Sequence, residues 1–383
     1  MPDSNIKYQI SNIASPKVAI VHDWLVGGGA ERVVEDLHNI YPDAPIYTSY
    51  CSDEWRQKLN GKVVTGWLQR FGKFRKFLPV LRIWWFTHLD FTGYDLVISS
   101  SGNGEAFGIK TPSDTLHVNY CHAPTHFYWR HYDQYMRQPG FGILNPLAKL
   151  GLKLLLKPLR AWDLKASKRA DYFIANSTHT QSEIKKFYGR DSVVIFPPVN
   201  IARFSEATIK PQPSKPRKGF VTASRQVPYK RLDVIIGACN ELKLPLTVIG
   251  RGPEHEKLVA QAGDTVSVLE NVSDEEMPKL FASAEAFIFA AYEDFGVTPV
   301  EALAAGTPVI AYKDGGALDY IRPGINGTFF DVQSVPALCA VLQTFDPSLY
   351  QVDAIRTTAE PFGIKAFHQN IINFIDKVSG EAK

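Results

Sequence analysis

The sequence predicts an α/β protein made of two domains, each built on a parallel sheet. Short apolar segments typical of buried strands alternate with segments of helical periodicity, as in sheets whose parallel strands are joined by helices. A segment rich in proline and lysine interrupts this alternation at 210–216, and the alternation then starts again. With 383 residues, the chain is long enough for two domains with separate cores.

The predicted strands and helices follow one another in order along both halves of the chain. In the first half, the strands are 18–22, 96–100, 115–120, 172–175 and 193–196, and the helices are 30–40 and 180–188. In the second half, the strands are 219–223, 246–249, 286–290 and 308–312, and a helix is 232–242. We therefore predict domains over 1–210 and 211–361, followed by a last helical segment over 362–383.

The composition excludes several classes of protein. With 45% hydrophobic and 21% charged residues, the chain is not of a disordered type, and its net charge of +3 is too small to indicate a nucleic-acid partner. The four cysteines lie far apart without a Cys-x-x-Cys pair, which argues against a zinc site and a disulfide framework. No apolar stretch is long enough for a signal peptide or a spanning helix. We expect a protein of the reducing cytoplasm, soluble or peripheral on a membrane.

Two glutamates frame a glycine turn in the second half of the chain. The segment from Glu293 to Glu301 contains Phe295-Gly296-Val297-Thr298 and precedes an apolar strand. A sugar nucleotide offers hydroxyls to carboxylates and a diphosphate to backbone amides at a helix start, so the segment suits such a ligand. Thr298, Pro299 and Glu301 also match the N-cap, N1 and N3 positions of a capping box, which would need no ligand. That alternative leaves Glu293 and the Phe-Gly pair unexplained.

This segment closely resembles the donor-binding signature of family 4 of the retaining glycosyltransferases. The resemblance implies the B-type fold (GT-B), in which two Rossmann-like domains face a cleft and a final helix returns to the first domain. It also implies that the first domain binds the acceptor and the second binds the nucleotide sugar. Glu293 is then expected to face the transferred sugar, and Glu301 to hold the ribose hydroxyls. Four residues between them are expected to offer backbone groups to sugar and phosphate: Phe295, Gly296, Val297 and Thr298.

Two turns of the first domain are candidates for the same site. Gly27, Gly28 and Gly29 follow the first predicted strand, where exposed amides suit an anion and where a turn that needs positive φ is the alternative. In similar family members this loop closes over the donor, which nominates Gly28 and Gly29. His122 follows another predicted strand and precedes aromatic residues. A single histidine is more often structural, but the resemblance places His122 beside the donor sugar.

A basic turn of the second domain is the candidate diphosphate site. Arg225, Lys230 and Arg231 lie between a predicted strand and a predicted helix, where phosphate oxygens are natural partners and a solvated turn is the alternative. The resemblance implies that Arg225 and Lys230 clamp the diphosphate and stabilise the leaving nucleotide, as a metal does in other transferases. Because the sequence has no Asp-x-Asp motif, no metal is expected, and the nucleotide sugar is a co-substrate with no cofactor required.

Two further turns of the second domain give weaker signals for the nucleobase. The turn from Gly250 to Pro253 would let the backbone approach a flat base, although a plain turn explains it equally well. The segment from Asn271 to Ser273 resembles the one whose backbone meets the base in the family. Neither segment distinguishes guanine from uracil.

Two segments of the first domain combine cations with large apolar residues at helical spacing. Such segments suit an anionic bilayer surface, whereas a helix face packed on the sheet is the alternative. The first, which Pro79 breaks in two, contains Trp67, Phe71, Phe74, Leu78, Leu81 and Trp85 with Arg70, Lys73, Arg75, Lys76 and Arg82. The second contains Lys149, Lys153, Lys157 and Arg160 beside Leu152, Leu155, Leu156, Leu159 and Trp162. Since no RNA-recognition motif accompanies them, we expect a membrane contact and no nucleic acid.

These observations predict a retaining hexosyltransferase. The segment from Glu293 to Glu301, together with residues 302–312 and 315–318, resembles bacterial mannosyltransferases of surface-polysaccharide assembly. We therefore expect transfer of mannose from GDP-mannose to a polyprenyl-diphosphate-linked saccharide at the inner face of the cell membrane. A covalent glycosyl intermediate is one route to retention, but the resemblance implies front-face substitution. The alternatives are a transferase that uses UDP-glucose or UDP-N-acetylglucosamine and a soluble acceptor, a nucleotide-sugar 2-epimerase of the same architecture, and a non-catalytic scaffold.

Overall fold

The computed structural model divides the chain into two compact units. The described residues are 16–102, 105–126, 128–130, 132, 136, 142, 145–206 and 217–381. One unit comprises Met1–Phe196 with Phe367–Lys383, and the other comprises Pro197–Ala366. The predicted linker at 210–216 lies outside the described residues. Each unit contains a parallel sheet, which confirms the prediction of two Rossmann-like domains.

The sheet of the first unit has seven parallel strands within the part of the chain that the structure describes. They are β1 (Val18–His22), β2 (Ile46–Thr48), β3 (Val63–Thr65), β4 (Leu96–Ser101), β5 (Leu116–Cys121), β6 (Tyr172–Ala175) and β7 (Val193–Val194). Their order across the sheet is β3-β2-β1-β4-β5-β6-β7. Strands β1, β4 and β5 are buried along their whole length, as expected for parallel strands covered on both faces.

Helices join the strands of the first unit and complete its core. They are α1 (Gly29–Ile40), α2 (Asp53–Lys58), α3 (Pro79–Thr87), α4 (Asn145–Ala166) and α5 (Thr178–Tyr188). Pro79 is the first residue of α3 and follows a 3-10 segment, Trp67–Phe77, so the proline divides the first basic segment as predicted. The C-terminal helix, Ile364–Glu381, contributes an apolar stripe to the same core. The residues of that stripe are Phe367, Ile371, Phe374, Ile375 and Val378.

The sheet of the second unit has six parallel strands among its described residues. They are β8 (Phe220–Ala223), β9 (Leu246–Ile249), β10 (Val266–Leu269), β11 (Ala286–Phe289), β12 (Val309–Tyr312) and β13 (Gly327–Phe330), in the order β10-β9-β8-β11-β12-β13. The helices are α6 (Ile201–Glu206), α7 (Leu232–Leu242), α8 (His255–Gln261), α9 (Glu276–Ser283), α10 (Val297–Ala304), α11 (Ala317–Tyr320), α12 (Val335–Leu342) and α13 (Val352–Ala359). Leu232 and Leu246 belong to one apolar core with Ile288 and Ile310.

The strand order of each sheet reverses direction once. In the first sheet the chain moves outward from β1 to β2 and β3, and then returns to the other side of β1 with β4. In the second sheet it moves from β8 to β9 and β10, and returns beside β8 with β11. Ligands of open α/β sheets bind at the carboxyl ends of the strands where the order reverses. The loops that follow β1, β4, β8 and β11 are therefore where functional residues are expected.

The two basic segments are only partly exposed, which corrects the prediction for several of their residues. Arg82 is 2% exposed and donates two hydrogen bonds to the buried carboxylate of Glu105, from Nε at 2.6 Å and from Nη2 at 3.2 Å. Trp85, Leu156 and Leu159 are also buried. These residues belong to the interior because their side chains point back toward the sheet rather than outward. The side chains of Lys73, Phe74, Arg75, Lys76 and Leu152 lie outside the described part of the structure.

Other residues of these segments do form an exposed surface. Trp67, Phe71 and Trp84 are 41%, 45% and 51% exposed, and the Trp67 ring lies 6.0 Å from Phe71 and 6.3 Å from Trp84 between centroids. On α4, Leu147 and Leu154 are exposed on one stripe beside exposed lysines, which are Lys153 and Lys157. Among the described residues, no helix is both long and apolar enough to cross a lipid bilayer.

Candidate active site

A lysine and a glutamate meet where the strand order of the second sheet reverses. Lys230 ends the 3-10 turn Pro228–Lys230 after β8, and Glu293 lies in the loop after β11. Nζ of Lys230 contacts Oε1 of Glu293 in an ion pair. The side chains are only 10% and 19% exposed, so the pair is largely shielded from solvent. Strands β8 and β11 are neighbours, and this adjacency brings together two residues that are far apart in the sequence.

The surroundings of Lys230 make its charge sensitive to a ligand. Burial and the positive charge of Arg225 lower the pKa of Lys230 to about 7. The negative charge of Asp294 acts in the opposite direction, because a nearby anion favours the protonated ammonium. Arg225 is exposed and its Nη2 donates to the hydroxyl of Tyr229 at 3.0 Å. Two cations therefore lie at the end of β8, and an anion bound beside them would stabilise both.

The loop that carries Glu293 is held by the loop that follows β12. The backbone N–H of Gly316 donates to the carbonyl oxygen of Glu293 at 2.9 Å. A Cβ atom on Gly316 would lie 2.5 Å from the carbonyl oxygen of Asp294 and against Cα of Phe295. Only a residue without a side chain permits this approach of two backbones. The side chain of Phe295 is buried against Tyr320 and Phe362, at centroid distances of 5.5 and 5.8 Å.

Helix α10 begins inside the glutamate segment with an uncapped N-terminus. Gly296 is the N-cap at φ +87°, a conformation that favours glycine, and no side chain caps the helix. Val297 and Thr298 are the first two helical residues, so the capping box with Thr298 as N-cap is wrong. The backbone N–H groups of the first turn are therefore available to an anion. Glu301, one turn later, is 8% exposed.

The turn from Gly250 to Pro253 approaches protein backbone. Cβ atoms on Gly250 and Gly252 would collide with the carbonyl oxygens of Ser224 and Gln226, so the loop after β9 packs directly on the loop after β8. This contact explains the glycines without a nucleobase. Arg251 extends from the turn and donates through Nη2 to Oδ1 of Asn271, the residue predicted to begin the segment near the base.

Hydrogen bonds to the carboxylates of Asp23 and Glu31 hold the glycine loop of the first unit and the segments beside it. Asp23, directly after β1, accepts hydrogen bonds from the backbone N–H groups of Gly102 at 3.1 Å and Ala106 at 3.0 Å. Glu31 of α1 turns back toward the loop, and its Oε1 accepts from the N–H of Gly27 at 3.2 Å. Gly28 is the N-cap of α1 and carries no side chain to cap it. An anion at this helix start would therefore meet amides at Gly28 and Gly29 rather than at Gly27.

His122 lies at the carboxyl end of β5, where the sequence predicts it, and is joined to a neighbouring strand. Its Nε2 lies 2.8 Å from the hydroxyl oxygen of Ser100 on β4, and its ring centroid lies 5.2 Å from that of Tyr120. Ser100 also contacts His22, the last residue of β1. Neither partner was predicted from the sequence, because a serine and a histidine inside apolar strands give no pattern of their own.

Comparison with known proteins agrees with this architecture. The model described as Glycosyltransferase Family 4 matches residues 27–203, and the model described as Glycosyl transferases group 1 matches residues 204–345. The chain belongs to glycosyltransferase family 4. Together the two matches cover both units of the enzyme, and the predicted resemblance is confirmed.

Several proteins are similar to this glycosyltransferase over part or most of its length. The alpha-1,3/1,6-mannosyltransferase alg2 of Schizosaccharomyces pombe is 25% identical over 85% of this chain and 73% of its own. The GDP-mannose-dependent alpha-(1-6)-phosphatidylinositol monomannoside mannosyltransferase of Mycolicibacterium smegmatis is 29% identical over 44% of this chain and 51% of its own. Among solved structures, Anabaena Alr3699/HepE in complex with UDP superposes with a TM-score of 0.68 at 18% identity, over 94% of this chain and 100% of that one. This likeness confirms the predicted GT-B fold.

The structure brings together some of the predicted site residues. Lys230 and Glu293 are in contact, and Arg225 flanks the lysine. The segment from Phe295 to Thr298 follows Glu293 in the chain and leads into the start of α10. Gly28, Gly29 and His122 belong to the first unit, so their part in the same reaction remains a prediction. Gly316, which positions the Glu293 loop, was not predicted as a site residue.

Proposed function

We propose that the enzyme transfers a hexose with retention from a nucleoside-diphosphate sugar to a polyprenyl-diphosphate-linked saccharide, and that the hexose is mannose from GDP-mannose. The observation that carries this proposal is the contact between Lys230 and Glu293 where the strand order of the second sheet reverses. A diphosphate sugar carries negative charge next to an array of hydroxyls. A cation and a carboxylate side by side match these two groups.

Donor binding would replace one partner of each charged residue. The diphosphate would accept hydrogen bonds from Lys230 in place of the Glu293 carboxylate, and Glu293 would then accept hydrogen bonds from sugar hydroxyls. Arg225 is close enough to Lys230 to lower its pKa, so both cations can act on the same anion. Charge that develops on the departing diphosphate is then stabilised by groups already in place.

The start of α10 would complete the donor site. The first turn of the helix offers the backbone N–H groups of Gly296, Val297 and Thr298. They suit the diphosphate because no side chain caps the helix. Glu301 is mostly buried and lies one turn further along, and we propose that its carboxylate accepts from the ribose hydroxyls. Phe295 anchors the turn through its buried ring and contributes only its backbone.

The proposed transfer is a front-face substitution. The acceptor hydroxyl oxygen forms a bond to the anomeric carbon on the face from which the diphosphate leaves, and a phosphate oxygen of the donor takes the hydroxyl proton. The products are the extended saccharide and a nucleoside diphosphate. Glu293 orients the sugar and does not act as nucleophile. Lys230 and Arg225 supply the positive charge that a metal supplies in other transferases, so we expect activity in the presence of a chelator.

The choice of mannose rests on relatives, and one observation favours a second donor. Both relatives described above are named as mannosyltransferases, one of them GDP-mannose-dependent. The similar Anabaena protein has also been solved with UDP-glucose, at a TM-score of 0.66. UDP-glucose is therefore the second candidate donor, with a lipid-linked or a soluble acceptor.

We also propose that the enzyme works as a peripheral protein on an anionic membrane at the cytoplasmic face. An exposed apolar surface, which is favourably removed from water at a membrane interface, is formed by Trp67, Phe71 and Trp84 and by the exposed leucines of α4. Lys153 and Lys157 are exposed beside those leucines, and each cation near an anionic leaflet contributes about 1 kcal/mol. A lipid-linked acceptor would be reached from this position.

A donor panel tests the proposed function. The purified enzyme is incubated with labelled GDP-mannose, UDP-glucose or UDP-N-acetylglucosamine together with a membrane lipid extract, with and without a chelator. We expect label from GDP-mannose to enter the lipid fraction, with equal rates in both conditions. Labelling from UDP-glucose alone would select the second donor. Absence of labelled lipid with every donor would refute the lipid acceptor, and conversion of a sugar nucleotide to its epimer without acceptor would indicate the epimerase.

A further inference from the structure

Three polar side chains form a hydrogen-bonded chain across neighbouring strands of the first sheet. His22 ends β1 and pairs in register with Ser100 of β4, and His122 follows β5 on the other side of β4. Nδ1 of His22 lies 2.8 Å from the carbonyl oxygen of Ser100 and 3.1 Å from its hydroxyl oxygen. The same hydroxyl oxygen lies 2.8 Å from Nε2 of His122. His22 and Ser100 are 3% and 0% exposed, so protein groups rather than bulk water set these hydrogen bonds.

The positions of the protons follow from what each atom can do. A carbonyl oxygen only accepts, so Nδ1 of His22 carries the proton and donates it to Ser100. Since Nδ1 of His22 already carries a proton, it cannot accept a hydrogen bond from the Ser100 hydroxyl. Its proton is then available to Nε2 of His122, which must be unprotonated to accept it. A neutral imidazole with Nε2 unprotonated carries its proton on Nδ1.

We propose that Ser100 is a positioning residue that holds neutral His122 in the tautomer with its proton on Nδ1. His22 contributes by directing the Ser100 hydroxyl toward His122. The ring is also held in place by its backbone, since the N–H of His122 donates to the carbonyl of Ser101 at 2.7 Å. The part that His122 takes in the transfer rests on the proposed function, whereas the tautomer is a property of the first unit alone.

The tautomer decides what His122 offers to a ligand. Because Nε2 accepts a hydrogen bond from Ser100, the ring acts as a hydrogen-bond donor through Nδ1–H. Such a donor suits a hydroxyl or phosphate oxygen, and it does not suit the role of a base that removes a proton. A hydrogen bond donated to the neutral ring also disfavours the imidazolium.

Nitrogen NMR of the whole protein labelled with ¹⁵N-histidine tests the tautomer directly. The signals of His122 are assigned by their loss in His122→Gln. We expect the wild type to show Nδ1 protonated and Nε2 unprotonated in the neutral ring. Ser100→Ala should give a mixture of tautomers, and Ser100→Thr, which keeps the hydroxyl on a strand, should restore the wild-type spectrum. A wild-type ring with Nε2 protonated would overturn the proposal.

The pH dependence of transfer gives a second readout that a merely structural serine would not move. We expect the acid limb of kcat/KM to shift upward by about 0.5 to 1 pH unit in Ser100→Ala and to return in Ser100→Thr. The matched control is Ser99→Ala on the same strand, which removes a 2.7 Å contact with Nε2 of His117 and leaves His122 alone. An unshifted acid limb together with an unchanged tautomer in Ser100→Ala would refute the proposal, whether or not lipid is the acceptor.

Discussion

Gly316→Ala tests whether the close approach of two loops positions Glu293. Gly316 has φ −67° and ψ −16°, which alanine adopts without strain, so the substitution adds only a methyl group. That methyl carbon would lie 2.5 Å from the carbonyl oxygen of Asp294. An ordinary carbon–oxygen contact is about 3.3–3.6 Å, so the loop that carries Glu293 must move by roughly 1 Å. Misplacement by about 1 Å costs on the order of 100-fold in rate, and overpacking of this kind costs about 1–3 kcal/mol of stability.

We expect kcat/KM for the donor to fall about 100-fold in Gly316→Ala. The rate of nucleoside diphosphate release measures this, and thermal unfolding measures stability. Gly324→Ala is the matched control, because Gly324 has φ +77° and a Cβ atom there would have no neighbour within 4 Å. Its cost is backbone strain of about 1–2 kcal/mol without displacement of the Glu293 loop. Wild-type kcat/KM in Gly316→Ala, or an equal loss in both variants, would show that the close approach of Gly316 does not position Glu293.

The ammonium of Lys230 binds the diphosphate only when it is protonated, and its pKa is lowered to about 7. Affinity for the nucleotide sugar, measured by calorimetry, should therefore fall about tenfold from pH 6 to pH 8, and Lys230→Arg should remove this dependence. Glu293→Gln should lower turnover more than nucleotide affinity, whereas Glu301→Gln should chiefly weaken nucleotide binding; equal binding losses would contradict the assigned roles. Arg82→Met leaves the buried Glu105 carboxylate unpaired and should cost about 3–5 kcal/mol in urea unfolding, while the exposed Arg70→Met should change stability by less than about 0.5 kcal/mol. Leu154→Asp should weaken sedimentation with anionic vesicles about tenfold, and Val332→Asp, at a similarly exposed site of the second unit, should not.

Much of the fold could be predicted from local sequence. The strands Val18–His22, Tyr172–Ala175 and Leu246–Ile249 and the helix Leu232–Leu242 have the predicted bounds, because buried parallel strands are continuous apolar runs and helices repeat every three to four residues. The short strands Ile46–Thr48 and Val63–Thr65 were not predicted. Three residues are too few for a periodic pattern, and the pairing of β2 with β1 and of β3 with β2 decides that they are strands.

The basic segments show where periodicity alone fails. Trp85 and Trp67 share the same pattern of aromatic and basic residues, yet Trp85 is 7% exposed and Trp67 is 41% exposed. Arg82 resembles its neighbouring cations in sequence, but it is buried in the core because it forms an ion pair with Glu105, which is distant in the chain. A helical pattern identifies a stripe of side chains, and only the packing partner shows which part of the stripe faces the sheet.

Local sequence is enough to predict the family, the two parallel sheets and the segments that carry the candidate site, because these depend on short motifs and on apolar periodicity. The tertiary structure decided which residues meet. Contact between Lys230 and Glu293 depends on β11 lying beside β8, and the hydrogen bonds of Ser100 with His22 and His122 depend on β4 lying between β1 and β5. The order in which the chain crosses the sheet decides which strands are neighbours, and that order cannot be predicted from any local segment of the sequence.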